Sequence, residues 1–242
     1  MSQQSSLGRA VSCHDCRMSA LCLPLSLYAA DLDKLDNIIQ RGKPIQKNQH
    51  IFYAGDKFTG VYAVRSGAIK SYCVSDNGIE QVTGFYLPGE IFGWDGIADQ
   101  MHSNTAIALE TAAICEIPYD RFEELSISVP SLQRHFMQLM SKEITSDQQL
   151  ITLLSKNSAE ERIASLLLSI SNRLRRQKLS PTRFRLPMSR ADMGNYLGLT
   201  VETVSRAFSR FQAMSLLKAN KKEIEILDLK KLTELATGSE DC

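Results

Sequence analysis

The chain has 242 residues, of which 43% are hydrophobic and 23% charged, with a formal net charge of +1. This is the balance of an ordinary soluble globular protein with room for two domains. From the polar start Met1-Ser2-Gln3-Gln4-Ser5-Ser6 no secretory signal is expected, and no apolar run approaches the roughly 20 residues of a membrane helix, so a cytoplasmic location with no membrane partner is expected.

Six cysteines in a reducing compartment suit metal or redox roles better than a disulfide framework. Three of them open the chain as Cys13-His14-Asp15-Cys16 followed by Cys22, a C-x2-C-x5-C arrangement. Closely spaced thiolates hold a soft metal or an iron–sulfur cluster. A cysteine-only site needs a fourth ligand, for which Cys115 is the best candidate, although taken alone it reads as a buried strand cysteine. Zinc held by the first three cysteines with His14 is equally compatible with the spacing.

From Pro44 to Pro118 short apolar segments alternate with glycines. His50–Tyr53, Val61–Val64, Ala68–Tyr72, Gln81–Phe85 and Ala112–Ile117 are predicted strands, and Asp76-Asn77-Gly78 is a hairpin signal. This spacing points to a compact β sandwich or barrel. A long helix is predicted from near Ser131 to about Leu154. Met137, Met140, Ile144, Ile151 and Leu154 recur by threes and fours, the pattern of a dimer seam. The same register places Asp147 on the seam, where an acidic residue is costly unless paired. The competing reading is a helix packed on its own domain, with the methionines filling the core.

A further helix is expected over Ala159–Leu174, ended by Leu179-Ser180-Pro181. The stretch from Ser189 to Arg206 then reads as a helix-turn-helix. Ser189 caps a first helix with Met193, Tyr196 and Leu197 on one face, Gly198 makes the turn, and Thr200 caps a second helix. On the second helix Val201, Val204 and Phe208 are expected inside. Glu202, Ser205, Arg206 and Ser209 face out, a set suited to base edges. Lys222–Leu227 is a candidate wing strand. Between Lys156 and Lys221 there are 13 Lys+Arg against 4 Asp+Glu, whereas the remainder carries 15 against 23, so one part of the chain attracts phosphates and the other does not. The four histidines are scattered and no nucleophile–base arrangement stands out, so the chain is not read as an enzyme.

Taken together, these features resemble the FNR and Anr branch of the CRP–FNR transcription regulators. The resemblance spans nearly the whole chain. It rests on the N-terminal cysteine run, Leu35–Ile39, Arg65–Ser71, Ala108–Thr111, Cys115–Pro118, Leu154–Lys156 and Asn195–Thr203. It implies an α+β fold with an N-terminal cyclic-nucleotide-binding-like β-roll, a long dimerisation helix and a C-terminal winged helix-turn-helix. The corresponding segments are 1–28 for the cysteines, 29–128 for the β-roll, 129–156 for the helix and 157–242 for the DNA-binding domain. The resemblance also implies that Cys13, Cys16, Cys22 and Cys115 ligate a [4Fe–4S] cluster and that Glu202, Ser205 and Arg206 read a TTGAT-type inverted repeat of double-stranded DNA. The expected behaviour is dimerisation through Met137, Met140, Ile144, Asp147 and Ile151 when the cluster is intact, with RNA polymerase as the protein partner.

Two positions depart from the family pattern. Arg17 follows the second cysteine, and Ile79 follows the turn glycine where an acidic residue is common. Cys73 reads as a strand filler and Cys242 as a tail residue. No cyclic nucleotide is expected, because the region from Phe92 to Thr105 contains no arginine to pair with a phosphate.

Overall fold

The computed structural model describes residues 12–75 and 77–238. Asp76 of the turn signal and Cys242 lie outside the described residues. After helix α1 (Ala29–Ile38) come strands β1 (His50–Phe52), β2 (Gly60–Ser66), β3 (Ile69–Val74), β4 (Glu80–Tyr86), β5 (Ile91–Phe92), β6 (Thr105–Ala108) and β7 (Ala113–Pro118). They form two antiparallel sheets in the orders β1-β6-β3-β4 and β5-β2-β7. Phe52, Tyr62, Val64, Ile69, Phe92 and Ala106 fill the space of this β-roll. Alternation along each strand is what supplies such an inner face.

The β3–β4 hairpin forms as expected, with Ser75 N–H donating to Ile79 O at 3.0 Å and Gly78 at φ +78°. Gly67 is required between β2 and β3, because its φ is +78° and a Cβ there would lie 2.6 Å from Thr111 O. Strands β5 and β6 were not anticipated from local pattern. β5 has two residues, and β6 inserts between β1 and β3, a non-local pairing that local alternation does not reveal.

Helix α2 (Tyr119–Ser128) leads into α3 (Pro130–Lys156), slightly longer than the predicted Ser131–Leu154. Its 27 residues reach about 40 Å. Proline at its start costs nothing, because the first amide of a helix has no intrahelical partner. Then come α4 (Ala159–Arg176), β8 (Arg183–Arg185), α5 (Arg190–Leu197), α6 (Val201–Ala213), β9 (Leu217–Asn220), β10 (Glu223–Ile226) and α7 (Leu229–Thr237). A capping box between Ser158 and Glu161 starts α4. The sheet β8-β10-β9 is the wing, with β9 a strand that the sequence reading missed.

The winged unit and the β-roll share one apolar core. Val82, Phe85 and Leu87 pack with Leu167, Met193 and Leu197. Asn195 joins the two units: Val82 N–H donates to its Oδ1 at 2.5 Å, and its Nδ2 donates to Glu80 O at 2.7 Å. Lys70 pairs with Asp192 at 2.8 Å, and Arg173 with Glu90. No helix among the described residues is long and apolar enough to cross a membrane.

Candidate cysteine site and nucleic-acid interface

Residues 12–22 form a series of turns laid against the β-roll. Met18 and Leu21 close over Gly89, where φ is +90° and a Cβ would lie 2.9 Å from Leu21 Cβ. Cys22 begins a short 3-10 turn, and Leu23 behind it is fully buried among Leu35, Phe58, Leu132 and Phe136. Cys115 comes from β7, opposite Ala63 of β2. The fold therefore brings Cys13, Cys16, Cys22 and Cys115 to one cavity, whose remaining walls include Met18, Leu23, Ile39, Val64 and Ile117. Among the described residues, no three His, Cys, Asp or Glu side chains are placed to hold a single metal ion. His14 is turned outwards, with Nε2 2.8 Å from Asp33 Oδ1, and does not line the cavity. Arg17 is exposed.

Burial pushes the Cys13 and Cys22 thiols up to about 12. For Cys13 the Asp36 carboxyl adds to that shift and Arg41 opposes it. Cys115 is also raised by burial, against the charges of Arg41 and Arg65. All three are neutral thiols near pH 7, so binding a thiophilic group must displace protons. Asp36 and Arg41 belong to this site, yet the sequence reading did not single them out as functional. Cys13 N–H donates to Asp36 Oδ1 at 2.6 Å, and Arg41 Nη2 donates to Cys13 Sγ at 3.3 Å. Nothing local in the sequence joins residues 28 positions apart. Cys73 lies apart on β3, with Sγ 3.8 Å from Gln81 O.

At the other end of the chain the helix-turn-helix forms from local signals. Ser189 Oγ accepts from Asp192 N–H at 3.0 Å, and Ser189 N–H donates to Asp192 Oδ2 at 2.9 Å. Gly198 ends α5 in the left-handed region at φ 64°, and Thr200 Oγ1 accepts from Thr203 N–H at 3.1 Å to start α6. Val204, Phe208 and Phe211 are buried, while Glu202, Ser205, Arg206 and Ser209 are exposed on the opposite face. Val201 is a correction. It is 43% exposed rather than inside, because it opens α6 and has no preceding turn to pack with. Ser205 donates to Val201 O at 2.8 Å, leaving its oxygen free to accept. Its own backbone amide and the Thr200 hydroxyl hold the Glu202 carboxyl below its usual range, with Arg206 one turn along adding to the effect. Two supporting cations were missed in the sequence. Arg190 lies over the Phe208 ring, 3.0 Å from its centroid, and Arg210 pairs with Glu160 at 2.7 Å to hold α6 on α4.

Helix α3 lies between the two sites. Its first turns are buried through Leu132, His135 and Phe136. Further along, Met137, Ile144 and Ile151 form an unpartnered apolar line, 57%, 56% and 66% exposed. Met140 is half-buried against the β-roll core. Asp147 is exposed on the flank of that line, one turn after Glu143, and its charge acts on Glu143, Tyr86 and Tyr196 of its own chain.

Comparison with known proteins places these parts in one family. Residues 43–128 match the cyclic nucleotide-binding domain, and residues 161–235 match the Crp-like helix-turn-helix domain. The chain is 52% identical to the transcriptional activator protein FnrA of Stutzerimonas stutzeri, over 96% of each chain. It is 49% identical to the fumarate and nitrate reduction regulatory protein of Vibrio cholerae, over 97% of this chain and 94% of that one. Among solved structures, FixK2 of Bradyrhizobium japonicum superposes with a TM-score of 0.76 at 27% identity, covering 84% of this chain and all of that one.

Proposed function

The chain belongs to the FNR/Anr branch of the CRP–FNR transcription regulators, DNA-binding proteins rather than enzymes, and on that footing we propose that it regulates transcription in response to oxygen. In this reading Cys13, Cys16, Cys22 and Cys115 hold a [4Fe–4S] cluster, and the loaded protein dimerises through α3 and binds TTGAT-type inverted repeats. The observation that carries it is the cavity itself: four thiols from two distant segments meet there, packed against the base of α3. The four donors lining the cavity are all sulfur, a set that suits an iron–sulfur cluster. When bound, the cluster supplies an oxygen-labile link between the N-terminal segment and β7.

This chain's residues do the rest. Leu23, adjacent to Cys22, sits in one apolar cluster with Leu132 and Phe136 of α3. Holding residues 13–22 in place therefore biases how α3 packs, and with it the exposed line Met137, Ile144 and Ile151 that a second copy would cover. Asp147 on the flank keeps the pair marginal, so that a few kcal/mol of bias shifts the population. In the dimer, Arg206 pairs with guanine, Glu202 accepts from cytosine, and Ser205 adapts. RNA polymerase is the expected protein partner, although exposed Ile79 gives the β3–β4 loop an apolar tip. A cyclic nucleotide is disfavoured on two grounds. Asp95 already takes the loop amides of Ser103 at 2.9 Å and Asn104 at 2.8 Å, so neither amide is free for a phosphate. No arginine lies between Phe92 and Thr105 to supply the charge.

The test is anaerobic purification with iron and sulfide quantitation. About four irons per monomer and a brown chromophore are expected. Serine at any one of Cys13, Cys16, Cys22 or Cys115 should abolish the chromophore, whereas Cys73→Ser should keep it. A colourless, zinc-loaded anaerobic protein would overturn the reading.

A further inference from the structure

The cavity of the four thiols carries an ion pair that ligation alone does not require. Asp36, near the end of α1, pairs with Arg41 and accepts the backbone N–H of Cys13. Arg41 reaches the site because the chain leaving α1 is clipped to β7. Gln40 N–H donates to Glu116 O at 2.8 Å, and Glu116 N–H donates to Gln40 O at 2.9 Å. That bridge sets Arg41 next to Cys115 while its Nη2 donates to Cys13 Sγ. One guanidinium thus faces a sulfur from the N-terminal segment and lies beside one from the β-roll. The Arg41 side chain is 12% exposed, and its Nε is fully buried without a hydrogen-bond partner. Buried N–H groups are rarely left unpaired, so this one calls for an acceptor. Arg65 is the other cation acting on Cys115, and Arg17 is exposed.

We infer that Arg41, anchored by Asp36, is a positioning residue of the thiol site: it donates through Nη2 to the Cys13 thiolate, offers Nε to a second sulfur acceptor, and so sets how long the loaded site survives in air. The inference rests on the cluster reading above. The physical basis is that N–H···S bonds withdraw charge from metal-bound sulfur and fix ligand orientation, two of the protein's levers on cluster reactivity. A planar guanidinium can serve two acceptors at once and remain held by a carboxylate, which an ammonium group cannot match.

The experiment compares the full-length parent with Arg41→Met, Arg41→Lys and Asp36→Asn, each loaded anaerobically with iron and sulfide. Resonance Raman spectra of the Fe–S(Cys) stretches are recorded in H2O and D2O, and bleaching is timed in air. The parent should show a deuterium shift that Arg41→Met lacks, and Arg41→Met should bleach about 10–100-fold faster, the usual scale for loss of a partner behind a metal ligand. Arg41→Lys should recover part of both signals, and Asp36→Asn should fall between parent and Arg41→Met. An Arg41→Met protein with the parent's shift and lifetime overturns the inference. If Arg41→Met takes up no iron, thermal unfolding of the cluster-free proteins decides. A parent-like transition with loading recovered by lysine supports positioning, whereas a lost transition without that recovery assigns Arg41 to the fold alone and overturns the inference. A parent that takes up no iron refutes the cluster reading itself, whatever the variants do.

Discussion

Leu23, which follows Cys22, packs in one apolar cluster with residues of the long helix, and Leu23→Ala tests whether that contact links the two. The residue is fully buried and shares its apolar cluster with Leu35, Leu132 and Phe136. Truncating a leucine so enclosed costs about 2–5 kcal/mol, the spread reflecting how far the site collapses around the lost atoms. Part of that cost appears as stability: the cluster-free variant should unfold at a temperature lower by several degrees, at about 2–4 °C per kcal/mol for a chain of this size. The functional part appears in association. If packing at Leu23 transmits the state of the thiol site to α3, each loaded protomer loses some of the bias towards dimerisation. A loss of about 1.4 kcal/mol per dimer is already tenfold in Kd. Anaerobic sedimentation equilibrium of the iron-loaded variant should therefore give a dimer Kd at least about tenfold weaker than the parent, at unchanged iron content. A loaded Leu23→Ala protein that dimerises with the parent's Kd would show that coupling does not pass through this contact, however much stability the substitution removes.

The remaining predictions concern the readout, the seam and pH. Arg206→Ala should cost roughly 1–3 kcal/mol on a TTGAT-type duplex and relax preference at one base pair in a fluorescence titration, and equal losses on specific and scrambled duplexes would make it a phosphate contact instead. Ile144→Asp should stay monomeric even when loaded, while Asp147→Ala should dimerise and bind DNA in air; sedimentation of both with and without oxygen checks this, and an aerobic Asp147→Ala as monomeric as the parent removes Asp147 as the brake. Burial, with Asp147 and Glu90 adding to it, pushes Glu143 up to about 7 from 4.5, against Arg173 and the Tyr86 hydroxyl. A carboxyl raised by folding contributes its stability below the unfolded pKa and loses it as pH rises through the folded value, so Glu143→Gln should stabilise the protein near pH 8 by at most about 3 kcal/mol, read as a higher unfolding temperature, and much less near pH 5. Equal changes at the two pH values would contradict that origin.

The parts of this protein that were legible from sequence alone are those governed by near neighbours along the chain. Ser189, Gly198 and Thr200 set the ends of α5 and α6 through bonds three residues away, so the helix-turn-helix and its outward Glu202, Ser205 and Arg206 followed from spacing. The long helix was visible in the same way, through recurrent apolar residues. Val201 failed that logic because periodicity gives a direction but does not say where the core ends. The tertiary structure alone decided which distant groups meet. It placed β6 between β1 and β3, drew His14 away to Asp33, joined Asn195 to the edge of β4, and seated Leu23 on α3. It also brought Arg41 to Cys13 across 28 residues, by way of a single bridge from Gln40 to Glu116. Such meetings depend on chain closure and shared burial, which reward residues for their final neighbours and leave no periodic trace in the sequence.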